Sequence, residues 1–94
     1  MPHGVPALRT PDNRMNAVGS RVKERRKTLR WNQDDLCARL AHVTSGVWNP
    51  AWRDIVRIEG GTRKVSDLEL LALAQALECT PSWLLHVAEA PPTG

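Results

Sequence analysis

The chain has 94 residues, of which 41% are hydrophobic and 24% charged, with a net charge of +3. This length is enough for one small domain with a single core. No apolar run approaches the ~20 residues of a membrane span and no signal peptide opens the chain, so we expect no membrane partner and a cytoplasmic protein. A composition rich in Leu and Ala, with few β-branched runs, favours an all-α fold.

Charge is distributed unevenly along the chain. Residues 1–64 hold all 13 Lys and Arg against six acidic residues, a net +7, whereas residues 65–94 hold four acidic residues and no basic one, a net −4. This asymmetry indicates one half that faces a polyanion and another that does something else. A solvated basic helix would explain part of the excess, but not why the second half lacks every basic residue.

The reactive side chains form no pattern typical of catalysis. The three histidines lie far apart, at His3, His42 and His86. Cys37 and Cys79 fall in apolar helical patterns without paired spacing, as buried reduced cysteines do. We therefore expect no metal, no cofactor and no enzymatic activity.

The first third of the chain predicts an arm and two helices. Residues 1–16 contain three prolines and no periodicity, which predicts a disordered arm. A helix is predicted over 17–29, and the run of six basic residues over 21–30 would attract phosphates from a distance. Only Arg26 among them is expected to be held internally. Asn32 is expected to cap a second helix that ends near Val43.

The stretch from Trp48 to Gly61 predicts the helix around which function is organised. Asn49-Pro50 is a helix start signal and Gly60-Gly61 a stop signal. At about 100° per residue, one side of this helix carries aliphatic residues and the other carries a mixed apolar and basic set. The inward set is Ala51, Ile55 and Ile58, and the outward set is Trp52, Arg53, Val56 and Arg57. We interpret the outward face as a surface that touches base edges in DNA.

Two further helices complete the prediction. Ser66 to Glu69 forms an S-x-x-E capping box before an apolar helix of about ten residues. Thr80 is expected to cap a last short helix with Pro81 at its first position. The predicted organisation is a disordered arm over 1–16, a five-helix domain over 17–86 and a disordered tail over 87–94.

Three motifs in this order resemble the DNA-binding domains of lambdoid phage repressors and Cro proteins. Ser20 to Leu36 reads S-R-V-K-x-x-R-x-x-L-x-x-N-Q-x-x-L, Ile55 to Gly61 reads I-x-x-I-E-x-G, and Leu73 to Leu85 reads L-A-x-A-L-x-x-x-x-x-W-L-L. The resemblance covers residues 18–86. It implies a compact lambda-repressor-like domain of five helices, whose second and third helices form a helix-turn-helix.

The resemblance also implies roles for individual residues. Arg26 and Glu59 match a structural ion pair, and Val65 and Pro81 lie where such domains pair with a second copy. The implied DNA contacts are Asn32 and Gln33 at the second helix, Trp52, Arg53 and Arg57 at the bases, and Gly60, Arg63 and Lys64 at the backbone. Val56 adds an apolar group that suits a thymine methyl. Trp52 has two interpretations, a thymine methyl or sugar contact and a core cover for the following loop.

The chain departs from the family pattern in two places. The stretch from Gln33 to Glu59 is about eight residues longer than the common pattern, which predicts an insertion around 42–50 inside the helix-turn-helix. Arg30 and Glu78 occupy positions where the family usually has a helix-ending glycine.

The sequence therefore predicts a repressor-like transcriptional regulator that binds double-stranded DNA as a homodimer, with a recognition helix about 50–59 in the major groove. The alternative is an antitoxin-type or other protein-interaction module with a protein partner and secondary DNA binding. An RNA-binding domain would need exposed aromatic residues, and only Trp52 qualifies.

Overall fold

The computed structural model describes residues 8–88 and 90–92. Over these residues the regular secondary structure consists of α-helices with no strand, which confirms the all-α prediction. The five helices are α1 (Gly19–Thr28), α2 (Gln33–Val43), α3 (Trp52–Gly60), α4 (Asp67–Ala76) and α5 (Pro81–Leu84). Helix α1 packs on α3 and α5, α2 packs on α3 and α4, and α4 packs on α5. No helix in the described part is long and apolar enough to cross a membrane.

All five helices contribute to one core. Its fully buried side chains are Val22, Leu36, Leu40, Ile55, Ile58, Leu73, Leu77 and Leu84. Each such side chain stabilises the fold by about 1.5–3 kcal/mol relative to an exposed one. Trp83 is also buried, whereas Trp31 and Trp48 pack against the edge of the core and stay half-exposed.

The predicted caps of three helices are confirmed. The side chain of Asn32 accepts a hydrogen bond from the N–H of Asp35, whose carboxylate accepts one in return, both at 2.8 Å. Ser66 and Glu69 form the same reciprocal box at the start of α4. Thr80 accepts from the N–H of Trp83 at 3.0 Å, with Pro81 at the first position of α5. These caps satisfy N–H groups that a helix start leaves unpaired.

The predicted start of α3 is wrong. Asn49 and Pro50 precede the helix, which begins at Trp52 with Ala51 at the N-cap position. The capping group is the carboxylate of Asp54, which accepts the N–H of Ala51 at 3.0 Å. Pro50 is instead buried at the end of the linker. The Asn-Pro signal was outweighed because Asp54 lies three residues after Ala51, where a capping carboxylate belongs.

Residues 44–51 form the loop between α2 and α3, in the region where the sequence predicts an insertion. The hydroxyl of Thr44 donates to the carbonyl of Leu40 at 2.8 Å and accepts the N–H of Trp48 at 3.0 Å. Gly46, with φ of 80°, donates its N–H to the carbonyl of Ala41 at 2.7 Å. The loop is thus tied to the last turn of α2 through the Thr44 hydroxyl and the backbone of Gly46.

The described part of the N-terminal arm makes contacts that the sequence did not lead us to expect. Asn16 is buried, and its amide donates to the carbonyls of Ile58 at 3.0 Å and Arg63 at 2.8 Å. The same side chain accepts the N–H of Gly19 at 2.8 Å. A Cβ at Gly19 would collide with the carbonyl oxygen of Ile58, so the start of α1 meets the end of α3 closely. Residues 1–7 lie outside the described residues.

The chain adopts a left-handed backbone conformation two residues after the end of α1 and two residues after the end of α4. Arg30 has φ of 63° and Glu78 has φ of 55°, at the positions where the family pattern has glycine. Residues with a Cβ pay roughly 1–2 kcal/mol for this conformation, whereas glycine adopts it without strain. The fold therefore carries a small local strain after α1 and after α4.

Replacing Arg30 by glycine is expected to raise the free energy of unfolding by about 0.5–1 kcal/mol, since the relief of strain exceeds the extra entropy of glycine in the unfolded chain. Urea unfolding followed by circular dichroism measures this change. Arg30→Ala is the matched control, because it removes the same side chain and retains the Cβ. Equal stability of the two variants would contradict the strain.

Candidate nucleic-acid interface

Helix α3 has a buried side and an exposed side. Ile55, Ile58 and Glu59 are buried. The exposed side carries Trp52, Arg53, Val56, Arg57 and Gly60. The predicted division of the helix is thus observed, except that Ala51 is exposed because it lies at the N-cap and outside the helix.

The exposed side chains of α3 form two rows. Trp52 and Val56, four residues apart, form an apolar row and are 50% and 39% exposed. Arg53 and Arg57, also four residues apart, form a cationic row beside it. Gly60 lies between the rows, and a Cβ there would meet nothing within 4 Å. The exposed surface therefore pairs an apolar strip with a charged strip, separated at one end by bare backbone.

Both arginines of the cationic row have a neighbour on α3. The guanidinium of Arg53 lies 5.7 Å from the centre of the Trp52 ring, within cation–π range. The guanidinium of Arg57 donates to the carboxylate of Asp54 at 2.7 Å. The pKa of Asp54 is lowered, chiefly by the Ala51 N–H and then by Arg57, so this carboxylate is ionised at neutral pH. Both neighbours restrict where the guanidinium groups point.

The residues at the start of α2 lie close to the end of α3. Asn32 is exposed, but its side-chain oxygen is occupied by the cap described above. Gln33 is half-buried, with its amide nitrogen 3.4 Å from a carboxylate oxygen of Glu59. The first turn of α2 therefore borders the C-terminal end of α3.

The loop after α3 holds one basic residue inward and one outward. Arg63 is half-buried and donates through two nitrogens to the carboxylate of Glu69, at 2.9 and 2.8 Å. Its guanidinium also lies 5.9 Å from the ring centre of Trp48. Arg63 lowers the pKa of the Glu69 carboxyl, which keeps this pair ionised. Lys64 is exposed. Arg63 thus fastens the loop to α4, and Lys64 presents its charge to solvent.

Arg26 and Glu59 form a buried ion pair between α1 and α3. The guanidinium donates to both carboxylate oxygens, at 2.7 and 3.0 Å, and the two side chains are 9% and 4% exposed. A third nitrogen of Arg26 donates to the carbonyl of Trp31 at 2.8 Å. The hydrogen bonds from Arg26 to Glu59 raise the pKa of Arg26 further above its ordinary value.

Sequence reasoning missed two other arginines that hold the fold. Arg25 is 3% exposed and donates to the carbonyl of Leu77 at 2.8 Å, at the end of α4. Arg21 donates to the carbonyl of Trp83 at 2.7 Å and lies 4.8 Å from the centre of its ring. Both satisfy carbonyls at helix ends, where a cation is favoured. Arg21 and Arg25 lie four residues apart and close to the buried Val22 in the sequence, and this spacing was the signal that could have identified them as structural.

The residues expected to pair with a second copy lie at the edge of the core. Val65 and Pro81 are both half-buried. Val65 lines a groove of about 260 Å³ together with Leu70 and Leu85. Leu68 and Leu71 of α4 are 74% and 55% exposed, so the core of this chain leaves much of their apolar surface uncovered.

The described residues contain no group of three or more His, Cys, Asp or Glu that could hold a metal ion. Cys37 and Cys79 are free thiols, and burial raises the pKa of both. A raised pKa leaves little of the reactive thiolate at neutral pH.

Replacing Glu59 by alanine is expected to lower the free energy of unfolding by about 3–5 kcal/mol, because it leaves the Arg26 guanidinium buried without a counter-charge. Chemical unfolding at pH 7 measures the loss. Glu24→Ala, which removes an exposed carboxylate from α1, is the control and should change stability by less than about 0.5 kcal/mol. A similar, small effect of both substitutions would contradict the role of the pair.

Comparison with known proteins gives one informative similarity. The chain is 30% identical over 70 residues to the HTH-type transcriptional regulator DicA of Escherichia coli (strain K12), a match that covers 72% of this chain and 44% of that protein. The chain therefore spans less than half of the length of the curated relative it matches. No protein-family model matches the chain, and no solved structure does. The name of this relative describes it as a helix-turn-helix transcriptional regulator.

Proposed function

We propose that this protein is a transcriptional regulator that binds double-stranded DNA sequence-specifically, with α3 in the major groove. The observation that carries the proposal is the outward face of α3. It presents Arg53 and Arg57 beside Trp52 and Val56, although the buried side of the same helix already satisfies the core. The similarity to a helix-turn-helix transcriptional regulator supports the same class of function.

The chemistry of the cationic row suits base recognition. A guanidinium donates two parallel hydrogen bonds to O6 and N7 of guanine, a contact worth about 1–3 kcal/mol of discrimination. Arg53 is already braced by the Trp52 ring and Arg57 by Asp54. A side chain that is ordered before binding loses less rotamer freedom when it binds. Both arginines are therefore suited to direct readout rather than to loose attraction of phosphates.

Phosphate contacts are proposed for the elements on either side of α3. Asn32 and Gln33 lie at the N-terminal end of α2, where the helix dipole favours an anion. Gly60 offers bare backbone at the end of α3, and Lys64 offers an exposed cation. We assign Arg63 a positioning role, because its guanidinium is occupied by Glu69 and holds the loop that carries Lys64.

The protein is proposed to act as a homodimer. Val65, Pro81 and the neighbouring groove with Leu70 and Leu85 form the surface that a second copy would cover. Two recognition helices related by a two-fold axis would then enter major grooves roughly 34 Å apart. The preferred DNA site is accordingly expected to be an inverted repeat.

The base-reading assignment is tested by selecting bound duplexes from a random pool with the wild-type protein, Arg53→Ala and Arg57→Ala. Each variant is expected to lose preference at one base pair of each half-site, with an affinity loss of about 1–3 kcal/mol, because a bidentate contact disappears. Fluorescence anisotropy on the selected duplex measures this loss. Lys27→Ala, which removes an exposed cation from α1, should retain the wild-type preference. Unchanged preference in both α3 variants would contradict the assignment.

Gly60→Ala separates DNA contact from stability. The added methyl group meets nothing in the protein, so the free energy of unfolding should stay the same or rise by up to about 1 kcal/mol. Affinity for the selected duplex should fall by about tenfold or more, since a methyl group at a close backbone contact displaces the DNA. Unfolding and anisotropy measurements on the same sample give both quantities. Unchanged affinity would remove Gly60 from the interface.

A protein-interaction module with secondary DNA binding is the second candidate. The observation that favours it is the exposure of Leu68 and Leu71 on α4, away from the proposed DNA surface of α3. In that case Leu71→Ser would abolish partner binding, whereas Arg53→Ala would leave it intact. For a DNA-binding regulator, Arg53→Ala is expected to weaken binding to the selected duplex, whereas Leu71→Ser is expected to leave that binding intact.

A further inference from the structure

We propose that α3 reads pyrimidine C5-methyl groups next to guanines, with Trp52 and Val56 on the methyl groups and Arg53 and Arg57 on the guanines. This inference rests on the proposed function and specifies which chemistry of the DNA the helix recognises. It follows from the arrangement of the two rows on α3, because each row suits a different group on the floor of the major groove.

The apolar row has one matching partner in the major groove. The base edges there carry hydrogen-bond donors and acceptors, and the C5-methyl of thymine is their apolar group. Trp52 and Val56 expose half and more than a third of their surfaces on a helix whose other side is fully packed. A methyl group would remove part of that apolar surface from water. Phosphates and amino groups would not.

The cationic row fixes what lies beside the methyl group. Arg53 and Arg57 follow Trp52 and Val56 directly in sequence, so the cationic row runs alongside the apolar row on the exposed face. Contact between Trp52 and Arg53 is explicit, with the guanidinium 5.7 Å from the ring centre. A guanidinium bound to guanine lies in the plane of that base. The Trp52 ring beside it is then directed to the next base of the stack.

The spacing of the residues within each row predicts that the pair of contacts occurs twice in each half-site. Residues four apart on a helix are separated by about 6 Å along its axis, and successive bases of one strand are 3.4 Å apart. The second pair of side chains therefore reaches the groove about 6 Å from the first, so the two pairs meet different bases. Each half-site is therefore expected to contain a thymine beside a guanine at one or both of two such positions.

Uracil substitution tests this inference directly, because it removes only the C5-methyl and keeps base pairing. Each thymine of the selected duplex is replaced in turn by uracil, and affinity is measured by fluorescence anisotropy. Replacement at a recognised thymine is expected to weaken binding by about fourfold, the effect of one buried methyl group. Uracil at thymines outside the half-sites is the DNA control and should change nothing.

The protein side of the test uses Trp52→Ala and Val56→Ala. Each variant should bind thymine and uracil duplexes equally at the position it reads, while retaining sensitivity at the other position. Arg53→Ala should retain the uracil effect and lose the guanine preference. Circular dichroism confirms that the variants fold, and Val56→Ala provides the test if the loss of the Trp52 ring disturbs α3.

The inference is overturned if no uracil weakens binding, if the selected site lacks a thymine beside a guanine, or if both apolar variants keep the full uracil effect. In these cases the loss of preference in Arg53→Ala and Arg57→Ala would still support the proposed function. Absence of any preferred duplex sequence would overturn the proposed function together with this inference.

Discussion

The position of α3 depends on Glu59. Its carboxylate accepts two hydrogen bonds from Arg26 of α1, and the amide of Gln33 at the start of α2 lies 3.4 Å away. Its backbone carbonyl accepts a further bond from Arg14 at 2.6 Å. One residue near the end of α3 is thus held by three separate segments of the chain. The buried charge would destabilise the fold if it lacked these partners, because the desolvation of an unpaired carboxylate costs several kcal/mol. The outward face of α3 consequently has a defined direction relative to α2, which base recognition requires.

The basic half of the chain divides into cations that hold the fold and cations that face solvent. Three arginines of α1 bind other helices: Arg21 contacts α5, Arg25 contacts the end of α4, and Arg26 contacts α3. Half of the six basic residues over 21–30 are therefore structural. The exposed basic residues of that run are Lys23, Lys27 and Arg30. Net charge along the sequence therefore overstates the charge available to a polyanion. The structural arginines also explain why residues 65–94 can lack Lys and Arg. Arginines of α1 bind carbonyls at helix ends in that half, and Arg63 pairs with its Glu69.

Local signals were predictable from the residues themselves, whereas the tertiary Arg26–Glu59 pair was implied only by the family resemblance. The caps of α2, α4 and α5 depend on residues within three positions of each other, so Asn32, Ser66 and Thr80 could be identified from the sequence. The start of α3 was misplaced because two local signals competed, and the carboxylate of Asp54 prevailed over Asn49-Pro50. The structural partners of Arg25 and Arg63 escaped prediction because they are carbonyl or carboxylate groups on other elements. The outward residues of α3 followed from helical periodicity alone, and their role in binding DNA stays a prediction.

Asp54 links the loop between α2 and α3 to the proposed reading surface. Its carboxylate accepts the N–H of Ala51, where the loop ends, and the guanidinium of Arg57, which belongs to the cationic row. The Arg57 side chain is 56% exposed, and an exposed ion pair contributes only about 0–1 kcal/mol. A bidentate contact to guanine is worth about 1–3 kcal/mol. Arg57 can therefore leave Asp54 for a base with a net gain, while Asp54 keeps its bond to Ala51. The ion pair orients Arg57 before binding without competing strongly with the DNA, and the Asp54 carboxylate contacts both the end of the loop and the cationic row of α3.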